Sequence, residues 1–205
     1  MKSLYLTFFK EYCRDLQGIG SVVPDSRVCL TNLLKGVPFD SANVILEYGG
    51  ATGSMTREII KRKEPATTFV CFEKNGRFFN RLKDTIQATN FYLVHDDALR
   101  SRQILASELG LTGGKVDCIV STLPCSCLNF EDLIEQSVLP LLSDRGIFIQ
   151  YMHLISLFKG FRLDRVLKKY FGRIESKLVF RNLPPVVIYT CRKDGGRMPD
   201  LSKIN

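Results

Sequence analysis

Short apolar segments alternate with amphipathic segments through the middle of the chain, and this alternation constrains the fold more than any other feature. The apolar segments are rich in β-branched and aromatic residues, as is typical of buried strands. We predict seven strands, at Asn43–Tyr48, Thr67–Glu73, Phe91–His95, Val116–Ser121, Gly146–Met152, Glu175–Arg181 and Val186–Arg192. Between the first five, apolar residues recur at helical spacing, so each helix can lay an apolar face on the sheet. This order predicts an α/β fold with a mostly parallel sheet and helices on both faces.

The end of the chain departs from this pattern. A helix is predicted around Arg162–Tyr170, and the last two strands are then joined only by Asn182-Leu183-Pro184-Pro185. That connection is too short for a helical crossover, so the last two strands should pair antiparallel. We therefore predict a seven-stranded sheet with one antiparallel strand in a C-terminal hairpin.

Two helical patterns precede the sheet. The first has an apolar face and the second is short, and their apolar residues are Leu4, Phe8, Phe9, Tyr12 and Leu16, then Cys29, Leu30, Leu33 and Leu34. We divide the chain into N-terminal amphipathic helices at 1–38, acting as a lid or a membrane contact, one domain at 39–193 and a polar tail at 194–205.

Charge and cysteine usage narrow the class of protein. The chain has 29 lysines and arginines against 21 aspartates and glutamates, which gives a net charge of +8. This charge favours nucleic acid or an anionic membrane as partner, but a simple contribution to solubility explains it equally well. Seven scattered cysteines fit reduced thiols, and Cys125 and Cys127 lack the second pair or nearby histidine that zinc needs, so we expect no metal.

No apolar run is long enough to span a bilayer, and charged residues appear near the start of the chain before any site that resembles a signal-peptide cleavage site. We expect a cytoplasmic protein.

A glycine-rich turn joins the first strand to a helix. It reads Glu47-Tyr48-Gly49-Gly50-Ala51-Thr52-Gly53. Glycines allow the backbone to pass close to a ligand, and the helix N-terminus offers free N–H groups. The frame does not fit the G-x-G-x-x-G loop of nicotinamide enzymes, which makes a dehydrogenase the weakest interpretation.

The next strand ends also carry polar groups. Glu73 lies twenty residues after Gly53, where an acidic side chain can bind both ribose hydroxyls. The third strand ends in His95-Asp96-Asp97-Ala98 and the fourth in Ser121-Thr122-Leu123-Pro124. Simpler roles remain open: Glu47 as a solvated strand-end charge, Glu73 as an ion partner of Lys74 or Arg77, and Asp97 as an N-cap.

The glycine turn resembles E-x-G-x-G-x-G, the first motif of class I S-adenosylmethionine-dependent methyltransferases, with Ala51 in place of the middle glycine. The resemblance implies a Rossmann-like methyltransferase domain that binds S-adenosylmethionine. It implies that Glu73 binds the ribose and that Asp97, in a segment similar to the family's G-D-A, binds the adenine amino group, with Asp96 as the alternative. The cofactor residues that it implies are Glu47, Tyr48, Gly49, Gly50, Ala51, Thr52, Gly53, Glu73, Lys74, Asp96, Asp97, Ala98 and Ser121.

Two further segments resemble bacterial phospholipid N-methyltransferases, a family related to the rRNA adenine dimethylases. Ser121-Thr122-Leu123-Pro124 is similar to their S-x-L-P motif, and the segment from Arg181 to Val186 is similar to their closing R-N-L-P-P-A hairpin. The resemblance implies methylation of phosphatidylethanolamine and its mono- and dimethyl products. The fourth strand end lacks the amide and aromatic groups that enzymes acting on base amines carry. The alternatives are an rRNA or tRNA adenine N-methyltransferase, a small-molecule methyltransferase, and a cofactor-binding protein without activity.

For a lipid amine, Ser121 and Leu123 are the candidates to hold the nitrogen. The candidates to accept its proton or to contact the lipid phosphate are Tyr5, Tyr12, Tyr151 and His153. His153 is also consistent with an ordinary loop histidine. Two basic residues, Lys10 and Arg181, could pair with the phosphate. The basic amphipathic helix Lys2–Leu16 can lie on an anionic membrane surface, where each basic group contributes about 1 kcal/mol, or it can simply cover the sheet. These features predict peripheral association with the inner face of the membrane.

Overall fold

The computed structural model describes residues 27–123, 129–154, 157–180 and 185–193. Several predicted features lie outside the described residues: the first helix with Tyr5, Lys10 and Tyr12, the residues from Pro124 to Cys127, Arg181, and the tail from Asp194.

Seven strands form one sheet in the order β3-β2-β1-β4-β5-β7-β6. Their bounds are β1 Val44–Tyr48, β2 Thr68–Phe72, β3 Phe91–Val94, β4 Val116–Ser121, β5 Leu142–His153, β6 Arg173–Val179 and β7 Val186–Arg192. β7 runs antiparallel to both neighbours, and the other strand pairs are parallel. The predicted fold class, with one antiparallel strand in a C-terminal hairpin, is confirmed.

Helices cover both faces of this sheet. Their bounds are α1 Arg27–Leu34, α2 Ser54–Arg62, α3 Gly76–Thr85, a 3-10 turn Ala98–Arg100, α4 Ser101–Leu109, α5 Phe130–Leu133, a π-helical turn Ile134–Val138, α6 Leu139–Leu141 and α7 Leu157–Tyr170. Apolar residues of α1 and α2 pack on one face of the strands, and those of α4, α5 and α7 pack on the other. None of the helices in the described ranges is long and apolar enough to cross a membrane.

Two strands differ from their predicted bounds by more than one residue at an end, while β1, β2 and β3 differ by a single residue at one or both ends. β5 begins at Leu142 rather than Gly146, because Leu142 already pairs with Val116 of β4, although the next residues, Ser143 to Arg145, are polar and carry no strand signal. The Lys193 ammonium donates to the carbonyls of Leu139 and Leu142 at this start. β6 spans Arg173–Val179 rather than Glu175–Arg181. It is the edge strand and most of its side chains are exposed, so its polar start carries no apolar signal.

The topology brings six strand ends to one edge. Because β6 pairs with β7 and β7 with β5, both times antiparallel, β6 runs in the same direction as β5. The carboxyl ends of all strands except β7 therefore meet at one edge, where ligands bind in open α/β sheets.

Candidate active site

The glycine turn after β1 has a backbone conformation that requires small residues. Gly49 and Gly53 have φ values of +88° and +82°, in the left-handed region that glycine enters freely, and Ala51 lies there too, at +44°. A Cβ atom at Gly49 would lie 3.0 Å from Leu123 Cδ2, so the turn is in close contact with the residues that follow β4.

Backbone hydrogen bonds join this turn to the neighbouring strand ends. The Gly49 N–H donates to the Phe72 carbonyl at 2.9 Å, and the Thr122 N–H donates to the Tyr48 carbonyl at 3.1 Å. The Thr122 hydroxyl donates to the Gly49 carbonyl at 2.8 Å. The ends of β1, β2 and β4 therefore hold one fixed arrangement.

Glu47 is a fully buried carboxyl group beneath the turn. Neither of its side-chain oxygens, nor the buried hydroxyl of Thr56, has a hydrogen-bonding partner of acceptable geometry within the described residues. Burial raises the pKa of Glu47 to about 7, against smaller opposing effects of the Thr56 hydroxyl and the Cys71 thiol. Its burial excludes the interpretation of Glu47 as a solvated strand-end charge.

Glu73 lies directly after β2, and its carboxylate accepts a hydrogen bond from the glycine turn. Its Oε2 accepts from the Ala51 N–H and its Oε1 from the Asn75 N–H, both at 2.7 Å. Burial raises the pKa of Glu73, and these N–H groups partly offset the rise. Each oxygen keeps a lone pair for a further donor. Lys74, the partner considered from sequence, instead pairs with Asp97.

Asp97 has the N-cap role considered for it from sequence, and it also pairs with Lys74, which the sequence analysis had considered as a partner of Glu73. Its Oδ1 accepts from the Leu99 N–H at 3.0 Å, as an N-cap, and its Oδ2 accepts from the Lys74 ammonium at 2.7 Å. Burial raises its pKa, but the Lys74 and Leu99 donors together hold the pKa of Asp97 below its ordinary value. Asp96 pairs with Arg100 at 2.8 Å, so the two carboxylates have separate partners.

Other candidate cofactor residues contribute mainly backbone. The Tyr48 side chain is buried in the core, with its hydroxyl 2.8 Å from Ser101 Oγ, so only its main chain reaches the edge. Ala98 is buried and its carbonyl accepts from the Ser137 hydroxyl. Gly50 has no room for a side chain, because a Cβ atom would lie 2.6 Å from Cys71 Sγ.

The end of β4 is positioned by a residue that the sequence analysis missed. Gln150 on β5 is fully buried, and its amide donates to the Leu123 carbonyl at 3.1 Å and to the Tyr151 carbonyl at 2.7 Å. A lone glutamine inside the apolar run from Ile147 to Met152 was the signal that could have revealed it. The Ser121 hydroxyl is also fully buried and accepts from the Leu123 N–H at 3.4 Å, whereas Thr122 and Leu123 are half-buried.

Two of the candidate proton acceptors lie together at the end of β5. The Tyr151 hydroxyl is 2.8 Å from His153 Nε2, and the two rings meet edge to face with centroids 5.0 Å apart. Tyr151 is buried and His153 half-buried. The structure therefore brings together Glu47, Glu73, the glycine turn, the end of β4 and this aromatic pair at one edge of the sheet.

Comparison with known proteins defines the class. No family model matches the chain. It is 27% identical over 196 residues, 94% of this chain and 97% of the relative, to a protein of Singulisphaera acidiphila named ornithine lipid N-methyltransferase. A shorter match, 28% identical over 96 residues, covers 46% of this chain and 31% of ribosomal RNA small subunit methyltransferase A of Shouchella clausii. Precorrin-6y C5,15-methyltransferase of Geobacter metallireducens has the same fold, with a TM-score of 0.63 at 16% identity, covering 88% of this chain and 96% of that one.

The sheet order, the glycine turn and these similarities define a class I S-adenosylmethionine-dependent methyltransferase. Within that class, the similarity along nearly the whole chain relates the protein to lipid N-methyltransferases. The predicted enzyme class and cofactor are thereby confirmed.

The carboxyl edge fits the chemistry of S-adenosylmethionine. A buried carboxyl group whose two oxygens have no hydrogen-bonding partner among the described residues suits the cationic amino-acid end of that cofactor. The turn lets the backbone approach a ligand, and Glu73 and Asp97 are acceptors at the next two strand ends.

Proposed function

We propose that the protein transfers methyl groups to the amine nitrogen of a membrane lipid, with phosphatidylethanolamine and its mono- and dimethyl products as the acceptors. The S-x-L-P segment at Ser121 favours this, as does the similarity to a relative whose name specifies a lipid N-methyltransferase. That relative's name specifies ornithine lipid, which also contains a primary amine, so it is the second acceptor to test.

The residues proposed to hold the cofactor are mainly those that the family resemblance implies, and their position at neighbouring strand ends supports the proposal. Glu47 would pair with the amino-acid end, Gly49 to Gly53 would lie against the cofactor, Glu73 would bind the ribose and Asp97 the adenine. When bound, the cofactor supplies a methyl group on a positively charged sulfur, which is already a strong electrophile. The chain's own task is to exclude water, align the amine and remove its proton.

The amine would lie against the backbone of Thr122 and Leu123. These residues are half-buried beside Gly49, whereas the Ser121 hydroxyl is fully buried and supports the strand end from inside. The buried Gln150 amide donates a hydrogen bond to the Leu123 carbonyl, which fixes the path of the backbone here. Fixed carbonyl groups are suitable acceptors for an amine during alignment.

An exposed apolar surface beside this edge is the observation that carries the lipid proposal. Phe180, the residue after β6, is 71% exposed and Leu178 is 42% exposed. Val179, the buried residue between them, pairs with Val186, which in turn pairs with His153, so this surface lies two strands away from the end of β5 along the same edge of the sheet. A large exposed aromatic residue next to an exposed leucine is suited to contact with lipid chains, since such patches mark interaction sites.

The acceptor is identified by methyl transfer from labelled S-adenosylmethionine. Purified protein is incubated separately with vesicles of phosphatidylethanolamine, with vesicles of ornithine lipid, and with unmodified ribosomal RNA. We expect label in phosphatidylethanolamine. Label only in ornithine lipid would keep the lipid-amine proposal and change the headgroup, whereas label only in the RNA would overturn it in favour of base methylation.

Substituting Phe180→Ser should weaken the use of lipid in vesicles. Loss of a phenylalanine from an apolar contact removes roughly 1.5–3 kcal/mol, so the apparent KM for vesicle lipid should rise about tenfold or more while kcat changes little. Steady-state kinetics with vesicles measures this.

The matched control is Tyr92→Ser. Tyr92 is 43% exposed on β3, at the opposite edge of the sheet from β6. An equal rise in KM for both variants would show that Phe180 has no particular contact with the lipid.

A further inference from the structure

Tyr151 and His153 form a hydrogen-bonded pair at the carboxyl end of β5, with the phenolic oxygen 2.8 Å from His153 Nε2. They are two residues apart in one strand, so both side chains lie on the same face of the sheet. The two residues before them on that face, Ile147 and Ile149, pack among residues of α1 and α2.

The sheet register places this pair next to the methyl-transfer region proposed above. Glu47 pairs with Val120 and Val120 with Ile149, so these three residues form one row across the sheet. Tyr151 lies two residues beyond Ile149, just as Gly49 lies two beyond Glu47 and Thr122 two beyond Val120. The pair therefore lies at the edge, on the face of the sheet that Glu47 occupies.

Gln150 connects this pair to the end of β4. Its amide donates both to the Leu123 carbonyl and to the Tyr151 carbonyl, and Gln150 itself is in register with Ser121. A displacement of Tyr151 along the strand would break the contact that holds Leu123. The distance between the aromatic pair and the proposed amine position is thus fixed by a buried side chain rather than by a loose loop.

Methylation of an amine requires removal of a proton. At neutral pH a lipid amine is an ammonium ion without a lone pair. In the reaction the nitrogen forms a bond to the methyl carbon, the carbon–sulfur bond breaks with its electrons remaining on sulfur, and one proton leaves nitrogen for each methyl group added. A base near the nitrogen accelerates this by about 10²–10⁴-fold, and histidine is the side chain whose ordinary pKa suits the task.

We propose that the Tyr151–His153 pair accepts this proton. The proton leaves the lipid ammonium for the Tyr151 oxygen as the Tyr151 hydroxyl proton passes to His153 Nε2, so tyrosine ends unchanged and histidine becomes imidazolium. His153 is half-buried, and it returns the proton to water before the next transfer. The assignment rests on the proposed lipid-amine activity.

The test uses Tyr151→Phe, which keeps the ring, and His153→Ala. Both should lower kcat on phosphatidylethanolamine by about a hundredfold, within the range for loss of a general base, while the affinity for S-adenosylhomocysteine stays within about twofold. In the wild type, kcat should fall at acidic pH as the base becomes protonated, and this fall should be absent from the kcat–pH profile of His153→Ala. Added imidazole should restore part of the activity of His153→Ala but not of Tyr151→Phe. Tyr92→Phe, remote from the site, should behave as wild type.

A second readout is independent of turnover. The chain contains two histidines, His95 and His153, so the imidazole proton signals in NMR are assigned by comparison with His153→Ala. Tyr151→Phe should shift the titration midpoint of His153.

The outcomes separate the two proposals. If wild-type protein methylates no lipid amine, the proposed function fails and this assignment fails with it. If wild type is active and the variants keep kcat within about threefold, or keep the fall of kcat at acidic pH, only the Tyr151–His153 assignment is wrong. A loss of S-adenosylhomocysteine affinity as large as the loss of kcat would mean that the pair only supports the fold of the site.

Discussion

Glu47→Gln should stabilise the folded protein above pH 7. The pKa of Glu47 is raised from an ordinary 4.5 to about 7, so the folded state holds this proton more tightly than the unfolded state does. The stability that this group contributes is therefore fully present below about pH 4.5 and is lost as the pH rises through 7. The shift corresponds to roughly 3 kcal/mol, which the neutral glutamine should recover at pH 8. Urea unfolding of both proteins at pH 5 and pH 8 measures the difference.

The comparison between wild type and variant removes the other titrating groups from the result, because they are common to both. Glu64→Gln, at an exposed position, provides the control and should change stability little at either pH. A stability difference between wild type and Glu47→Gln that is the same at pH 5 and pH 8 would contradict the buried ionisation.

A destabilising carboxylate is consistent with a role in ligand binding. S-adenosylhomocysteine carries the same cationic amino-acid end as the cofactor, so its affinity for wild type should fall as the pH drops below 7 and Glu47 takes up a proton. In Glu47→Gln the affinity should be about ten- to a hundredfold weaker at pH 8, as expected for loss of one charged hydrogen bond, and independent of this ionisation. Calorimetric titration over this pH range gives both quantities.

The sequence predicted the sheet well where burial and apolar composition coincide. The bounds of β4 and β7 agree with the prediction, and the short linker at Asn182–Pro185 gave the antiparallel pairing correctly. β6 was predicted two residues too late, because an exposed edge strand need not be apolar and its polar start gives no strand signal. The early start of β5 depends on pairing with Val116, a contact between residues remote in sequence.

The site was predictable only as a set of residue types. The motif marks Glu47 as a candidate site residue. It does not predict that the Glu47 carboxyl group is buried without a hydrogen-bonding partner among the described residues, because that depends on how Thr56 and Cys71 pack around it. The pairing of Lys74 with Asp97 joins two different strand ends, and Gln150 reaches Leu123 from the next strand. Contacts of this kind depend on strand order and register, which a single sequence does not supply.

Glu73→Ala should weaken binding of S-adenosylhomocysteine by about a hundredfold, because each hydrogen bond from a ribose hydroxyl to a charged acceptor contributes roughly 1.5–3 kcal/mol. Part of this loss is indirect, since the Ala51 and Asn75 N–H groups also lose their acceptor and the glycine turn loses support. Calorimetric titration measures the total loss, and thermal unfolding without ligand measures the loss of support.

An analogue that lacks one ribose hydroxyl separates the two contributions. Wild type should bind the analogue about tenfold or more weakly than S-adenosylhomocysteine, whereas Glu73→Ala should bind the two ligands almost equally, because the partner of that hydroxyl is already absent. Glu64→Ala should discriminate between them as wild type does. If Glu73→Ala still distinguishes the ligands as strongly as wild type, the carboxylate does not bind the ribose, and its function is confined to holding the glycine turn through Ala51 and the start of α3 through Asn75.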